Sequence, residues 1–196
     1  MGAAKALNER EMKFMLNFIA TKRHAHRDRA MFLLGHWAGM RISEIAYSKI
    51  GDVIAADGTI RDEIRLTAEQ TKGKHSRTVT LSEKMQKELA KYLEHRFGGK
   101  AWAALACANS EKPLFNTQKR QGFDPNTACH HFFTLYREAG LQASSHSGRR
   151  SFLSALSQKS VPLKVLMDLA GHRQAQTTMR YVSVTTDMKR AAVALL

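Results

Sequence analysis

The chain has 196 residues, 43% of them hydrophobic, enough for one well-cored domain or at most two small ones. Its 31 Lys and Arg against 17 Asp and Glu give a formal charge of +14, and a polyanion would relieve that self-repulsion through phosphate contacts and counterion release. The apolar stretches are too short to span a bilayer, the N-terminus lacks a signal-peptide core, and two isolated cysteines, Cys107 and Cys129, exclude a disulfide framework or a Cys-rich zinc site, so a cytoplasmic or nucleoid location is expected.

No repeat, low-complexity tract or linker divides the chain, and a single domain over residues 1–196 is expected. Asn8 followed by Glu11 reads as a capping box that opens an amphipathic helix to about Lys22, with Met12, Met15, Leu16 and Ile19 on its inner face. A second helix runs from about Arg27 to Ala38 and stops at Gly39, and Ser43 is the expected cap of a short third one through Tyr47. Strand-like residues follow. Asp52 to Ala55, a turn at Asp57-Gly58, then Ile60, Ile64 and Leu66 suggest a hairpin; Thr71 to Lys74 reads as a second turn, and Thr78 to Leu81 as the returning strand.

The remainder is mostly helical. Ser82 caps a helix to about Phe97, and Asp124-Pro125 opens another that reaches Ala139. Between them, 101–108 has a helical composition while Pro113-Leu114-Phe115 looks extended. Further helices are expected at about 147–158, 162–170 and 174–181, with a terminal one from about 186. The fold class is therefore mainly α with a small antiparallel β-sheet in the first third.

The last third is strongly basic: from 141 to 196 eight Lys and Arg face two acids, Asp168 and Asp187. It holds His146-Ser147-Gly148-Arg149, then Gly171-His172, then Tyr181 nine residues on. A phenol with histidine and arginine upstream is what attack on a phosphodiester requires, since tyrosine supplies the oxygen and cations hold the phosphate. Taken singly, each residue has an ordinary reading: a helix-start pair, a core aromatic, a helix-end cation at Arg41. The conjunction decides. His130-His131 beside Cys129, and the His24/His26 pair, suggest no metal set, because adjacent histidines on a helix diverge and no ligand motif accompanies them.

Ala38 to Ile45 around Arg41, the basic hairpin Thr71 to Val79, His146-x-x-Arg149, Leu169-Ala170-Gly171-His172 and Tyr181 together resemble the catalytic domain of the tyrosine recombinases, the phage-integrase family. The resemblance runs from about residue 7 to Tyr181. It implies the tyrosine recombinase catalytic-domain fold and a site-specific DNA recombinase or integrase that works without metal or cofactor. Tyr181 would form a 3′-phosphotyrosyl link and release a 5′-hydroxyl, and a partner strand's 5′-hydroxyl would reverse the step. His146 is the expected base, Arg41 and Arg149 offer paired donors to phosphate oxygens, and His172 donates to the same oxygens. Lys72 is the expected acid for the departing 5′-oxygen, with Lys74 the alternative. Lys74, Arg77, Arg150 and Arg173 are expected to touch the DNA, and Glu44 to orient basic side chains.

Two departures stand out: the family commonly has Leu at Gly148 and His at Arg150. Gly148 is expected to loosen the start of its helix. The chain resembles the short single-domain members, such as the fimbrial-switch recombinases, with no N-terminal core-binding domain; a fragment of a longer integrase is the other origin. Double-stranded DNA, a homo-tetramer on it and accessory DNA-bending proteins are the implied partners. The tail, 182–196, either exchanges between protomers or packs on its own domain. Two other functions stay open: a DNA-binding regulator that keeps the fold without catalysis, and type IB topoisomerase-like DNA relaxation.

Overall fold

The computed structural model describes residues 4–71, 75–119, 122–182, 184 and 186–194. Helix α1, Glu9–Ala20, starts on the expected capping box: Asn8 Oδ1 accepts the Glu11 N–H at 2.9 Å, and Glu11 Oε2 accepts the Asn8 N–H at 3.0 Å. Met15 and Ile19 are fully buried beneath it. Helix α2, Ala25–Trp37, is buried at every residue from 30 to 36, and so forms the central helix and not a surface one. It ends at Gly39, whose positive φ of 63° lets the Phe152 ring lie where a side chain would stand.

Helix α3, Ile42–Tyr47, begins two residues earlier than Ser43 capping would set it. Arg41 is the N-cap residue, and the carboxylate three residues on does the work: Glu44 Oε2 accepts the Arg41 N–H at 2.7 Å. The expected strand at 52–55 is instead largely helix α4, Ile50–Val53, because Asp52 reaches back to accept the Lys49 N–H at 2.8 Å. Only an Ile54–Ile60 bridge remains of that first hairpin arm, closed over Gly58. The sheet is β1, Glu63–Leu66, antiparallel to β2, Arg77–Thr80, in the register Ile64 opposite Val79 and Leu66 opposite Arg77. Ile64, Leu66 and Val79 bury one face of it.

Helix α5, Glu83–Phe97, carries the expected Ser82 cap, and α6, Trp102–Ala108, fills the Ala-rich stretch. Pro113 is extended and bridges Lys49. Helix α7, Pro125–Glu138, starts with Asp124 Oδ1 accepting the Asn126 and Thr127 N–H groups and with Pro125 in its first turn. The last elements are α8, Ser147–Gln158; α9, Leu163–Ala170; α10, Ala175–Met179; and α11, Thr186–Val193.

Both α5 and α8 pack on α2. The α2–α8 contact is close because two glycines meet there: a Cβ at Gly148 would stand 3.0 Å from the Gly35 carbonyl carbon and from His36 Nδ1. Gly148 is thus the residue that lets α8 approach the central helix, not a loosening of its start. Among the described residues no helix is long and apolar enough to cross a membrane.

Candidate active site

Two helix ends converge on Arg149. A helix C-terminus leaves carbonyls without intrahelical partners, and these attract cations. Arg149 Nη1 donates to Gly39 O just past the end of α2 at 2.7 Å, and Nη2 donates to Ala170 O at the end of α9. The same Nη2 lies 3.0 Å from His172 Nε2. Arg149 is only 5% exposed. Burial, then repulsion from Arg41 and Arg77, pulls its guanidinium down to about 9.

His172 follows the left-handed Gly171 that closes α9. Burial first, then Arg149, Arg41 and Arg77, push its imidazole down to about 4, so it is neutral at pH 7. Facing an arginine donor, Nε2 acts as acceptor, which assigns the proton to Nδ1 and makes it the donor to Thr178 Oγ1 at 2.9 Å. Thr178 is fully buried in α10 and its carbonyl accepts the Tyr181 N–H at 2.9 Å. The chain is thereby turned so that the Tyr181 ring lies nearly parallel to the His172 ring, centroids 6.0 Å apart. Thr178 carries no sequence signal; a buried threonine in a short helix looks like any other.

Arg41 and Arg77 share one carboxylate. Glu44, with 0% exposure, accepts from Arg77 Nε at 3.0 Å and Nη2 at 2.7 Å, and from Arg41 Nη1 at 2.8 Å. Burial opposes its ionisation, but the Arg77 hydrogen bonds and charge hold its pKa below the ordinary value. Arg77 also donates Nη1 to Leu169 O at 2.9 Å, and its stem crosses Gly171, where a Cβ would meet Arg77 Cδ at 2.7 Å. With its side chain 8% exposed, Arg77 is tied inward, bracing β2 against α3 and the end of α9.

Two grooves lie beside these residues. His146, Arg150, Arg180 and Tyr181 line one of about 1370 Å³ with the 140–144 loop and Lys5. Arg41, Arg77, His172 and Arg173 line the other, together with Thr71 and His75. Of the stacked pair, His172 lines the second groove and Tyr181 the first. His146 is exposed, with Nδ1 3.5 Å from Ser145 Oγ, and Arg173 is exposed. Lys72 and Lys74 lie outside the described residues. The residues flanking them are tied together: Thr71 Oγ1 donates to His75 O at 2.7 Å and accepts the His75 N–H at 3.1 Å. Elsewhere His131 Nε2 pairs with Asp28 at 2.9 Å and His130 is exposed. Among the described residues no three His, Cys, Asp or Glu are grouped to hold a metal ion.

The whole chain superposes on the crystal structure of XerA recombinase with a TM-score of 0.72 at 22% identity, covering 64% of that chain. It covers 66% of the Tn1549 transposon integrase solved in complex with transposon right end DNA, with a TM-score of 0.73 at 17% identity. The fold is thus one shared by recombinases and transposon integrases. The Phage integrase family model matches residues 5–188, and the chain belongs to that family. It is 29% identical over 191 residues to the tyrosine recombinase XerA of Thermococcus kodakarensis, which it covers to 61%, and 26% identical over 189 residues to that of Pyrococcus furiosus, covered to 60%. The chain therefore spans about three fifths of the length of these curated relatives.

Proposed function

We propose that the chain is a site-specific DNA recombinase or integrase catalytic domain that breaks and rejoins strands through a 3′-phosphotyrosyl link on Tyr181. The observation that carries this reading is the contact chain Arg149–His172–Tyr181: a buried guanidinium, an imidazole and a phenol held side by side over a basic groove. In the forward step Tyr181 Oη bonds to phosphorus, the bond to the 5′-oxygen breaks, and that oxygen takes a proton. His146, exposed at the start of α8, is the base for the phenol. Lys72 is the acid for the 5′-oxygen, with Lys74 the alternative; both fall between β1 and β2 in sequence.

Arg41 and Arg149 hold the non-bridging oxygens. Arg149 is already fixed by two carbonyls, so little reorganisation accompanies phosphate binding. His172 is neutral with Nε2 toward Arg149 in the free chain; an arriving phosphate draws the Arg149 donor and favours the tautomer or charge state that donates from Nε2. Arg173, exposed beside its groove, suits a backbone phosphate, whereas Arg77 acts by holding Glu44 and through it Arg41. Double-stranded DNA is the substrate, a tetramer on it the working assembly with accessory bending proteins, and the cytoplasm the setting.

The test is incubation with nicked suicide duplexes, in which the released strand diffuses away and traps the covalent intermediate. A protein–DNA adduct that Tyr181→Phe abolishes is the expected outcome. Specific binding with no adduct favours a regulator that keeps the fold, and an adduct with relaxation but no strand exchange favours a topoisomerase.

A further inference from the structure

The nucleophile's ring has two neighbours among the site residues. His172 stacks against one part of it, and Arg150 Cζ stands 5.7 Å from the ring centre. That is inside the ~6 Å over which an aromatic face attracts a guanidinium. Arg150 is half-buried on α8, directly after Arg149, and lines the same groove as His146 and Tyr181. Among the described residues no carboxylate lies within ion-pair distance of it. Its charge is therefore turned to the phenol ring and the groove. α8 then contributes twice over: Arg149 fixes His172 from one side, and Arg150 reaches the ring that packs on His172.

We infer that Arg150 is a positioning residue that clamps Tyr181 against His172. The inference rests on the recombinase reading for its consequence in cleavage, but the clamp itself can be read in the free protein. Removing it frees the segment after α10, and the phenol spends less time in line with the phosphate. Binding of DNA is unchanged in this account, because the guanidinium serves the ring and not a phosphate.

In free protein, Arg150→Gln speeds tryptic cleavage after Arg180 by about three- to tenfold, the size expected from loss of one cation–π contact, while Arg173→Gln does not. Equal cleavage rates in wild type and Arg150→Gln overturn the clamp, whatever the protein does to DNA. On suicide duplex at saturating concentration, Arg150→Gln slows adduct formation by a similar factor and Arg150→Lys, which keeps a cation over the ring, recovers part of the rate. The salt dependence of duplex binding stays the same. A salt slope reduced by about one, with the saturated rate unaltered, makes Arg150 a phosphate contact and overturns the proposal. Wild type that forms no adduct on any duplex defeats the recombinase reading instead, and the tryptic comparison still judges the clamp.

Discussion

A buried histidine in the last turn of α2 shows how finely this site is supported. His36 is 6% exposed, its ring stacks on Phe32 with centroids 3.9 Å apart, Nδ1 bonds Phe32 O at 2.9 Å, and buried Nε2 has no protein partner. Burial pushes its imidazole down to about 4. Its unfolded value is about 6.5, so the unfolded chain binds the extra proton between those values. The stability held above pH 6.5 is accordingly lost as pH falls toward 4, by on the order of 3 kcal/mol for this one group. His172, half-buried and also lowered to about 4, adds in the same direction by less. Denaturant midpoints measured from pH 7 to 4.5 fall in wild type, and His36→Met, close in volume, removes most of that slope; an unchanged slope would show that other groups carry it. Glu44 and Asp28 are held below the usual carboxylate range, so their loss comes at still lower pH and leaves this window to histidines.

At the scale of elements, the cross-brace of α8 against α2 sets where Arg149 arrives. At Gly148 a Cβ would stand 3.0 Å from the Gly35 backbone and the His36 ring, tighter than an ordinary contact, and a longer side chain must push these atoms aside. Replacing a helical glycine gains up to about 1 kcal/mol in propensity, but overpacking against backbone costs typically 1–3 kcal/mol. Gly148→Leu therefore destabilises the chain and slows adduct formation, even though leucine is the residue the family commonly carries there; a variant of wild-type stability and rate would show that α8 does not depend on this approach. Legibility follows the same line. Ser82, Asp124-Pro125 and the bounds of α8 were readable because caps and apolar periods act within a few residues of one another. The motif around Arg41, Arg149, His172 and Tyr181 was readable as an ordered set. Asp52 was misread because a single back-reaching carboxylate turns a strand-like run into a helical turn. Arg77 reads as one more hairpin cation, and nothing near it in sequence reveals that Glu44 and Leu169, 33 and 92 positions away, take its donors.

For the whole molecule, the charge of +14 is the quantity from which the proposed binding to a duplex follows. Each phosphate neutralised changes the slope of log K against log salt by about −0.9, so half a dozen contacts give about −5. Anisotropy titrations between 50 and 200 mM salt should show that steep loss, and a nearly flat response would mean that the basic surface does not serve DNA. Internal ion pairs with Glu44 occupy the donors of Arg77, and of Arg41 in part, and so withdraw them from backbone phosphates. The catalytic proposal is tested most directly by digesting the trapped protein–DNA adduct and locating the modified residue by mass spectrometry. A nucleotide phosphate joined to the Tyr181 phenol oxygen is the predicted result. A phosphate on Tyr47, Tyr92, Tyr136 or any serine, with Tyr181 unmodified, would contradict the assignment.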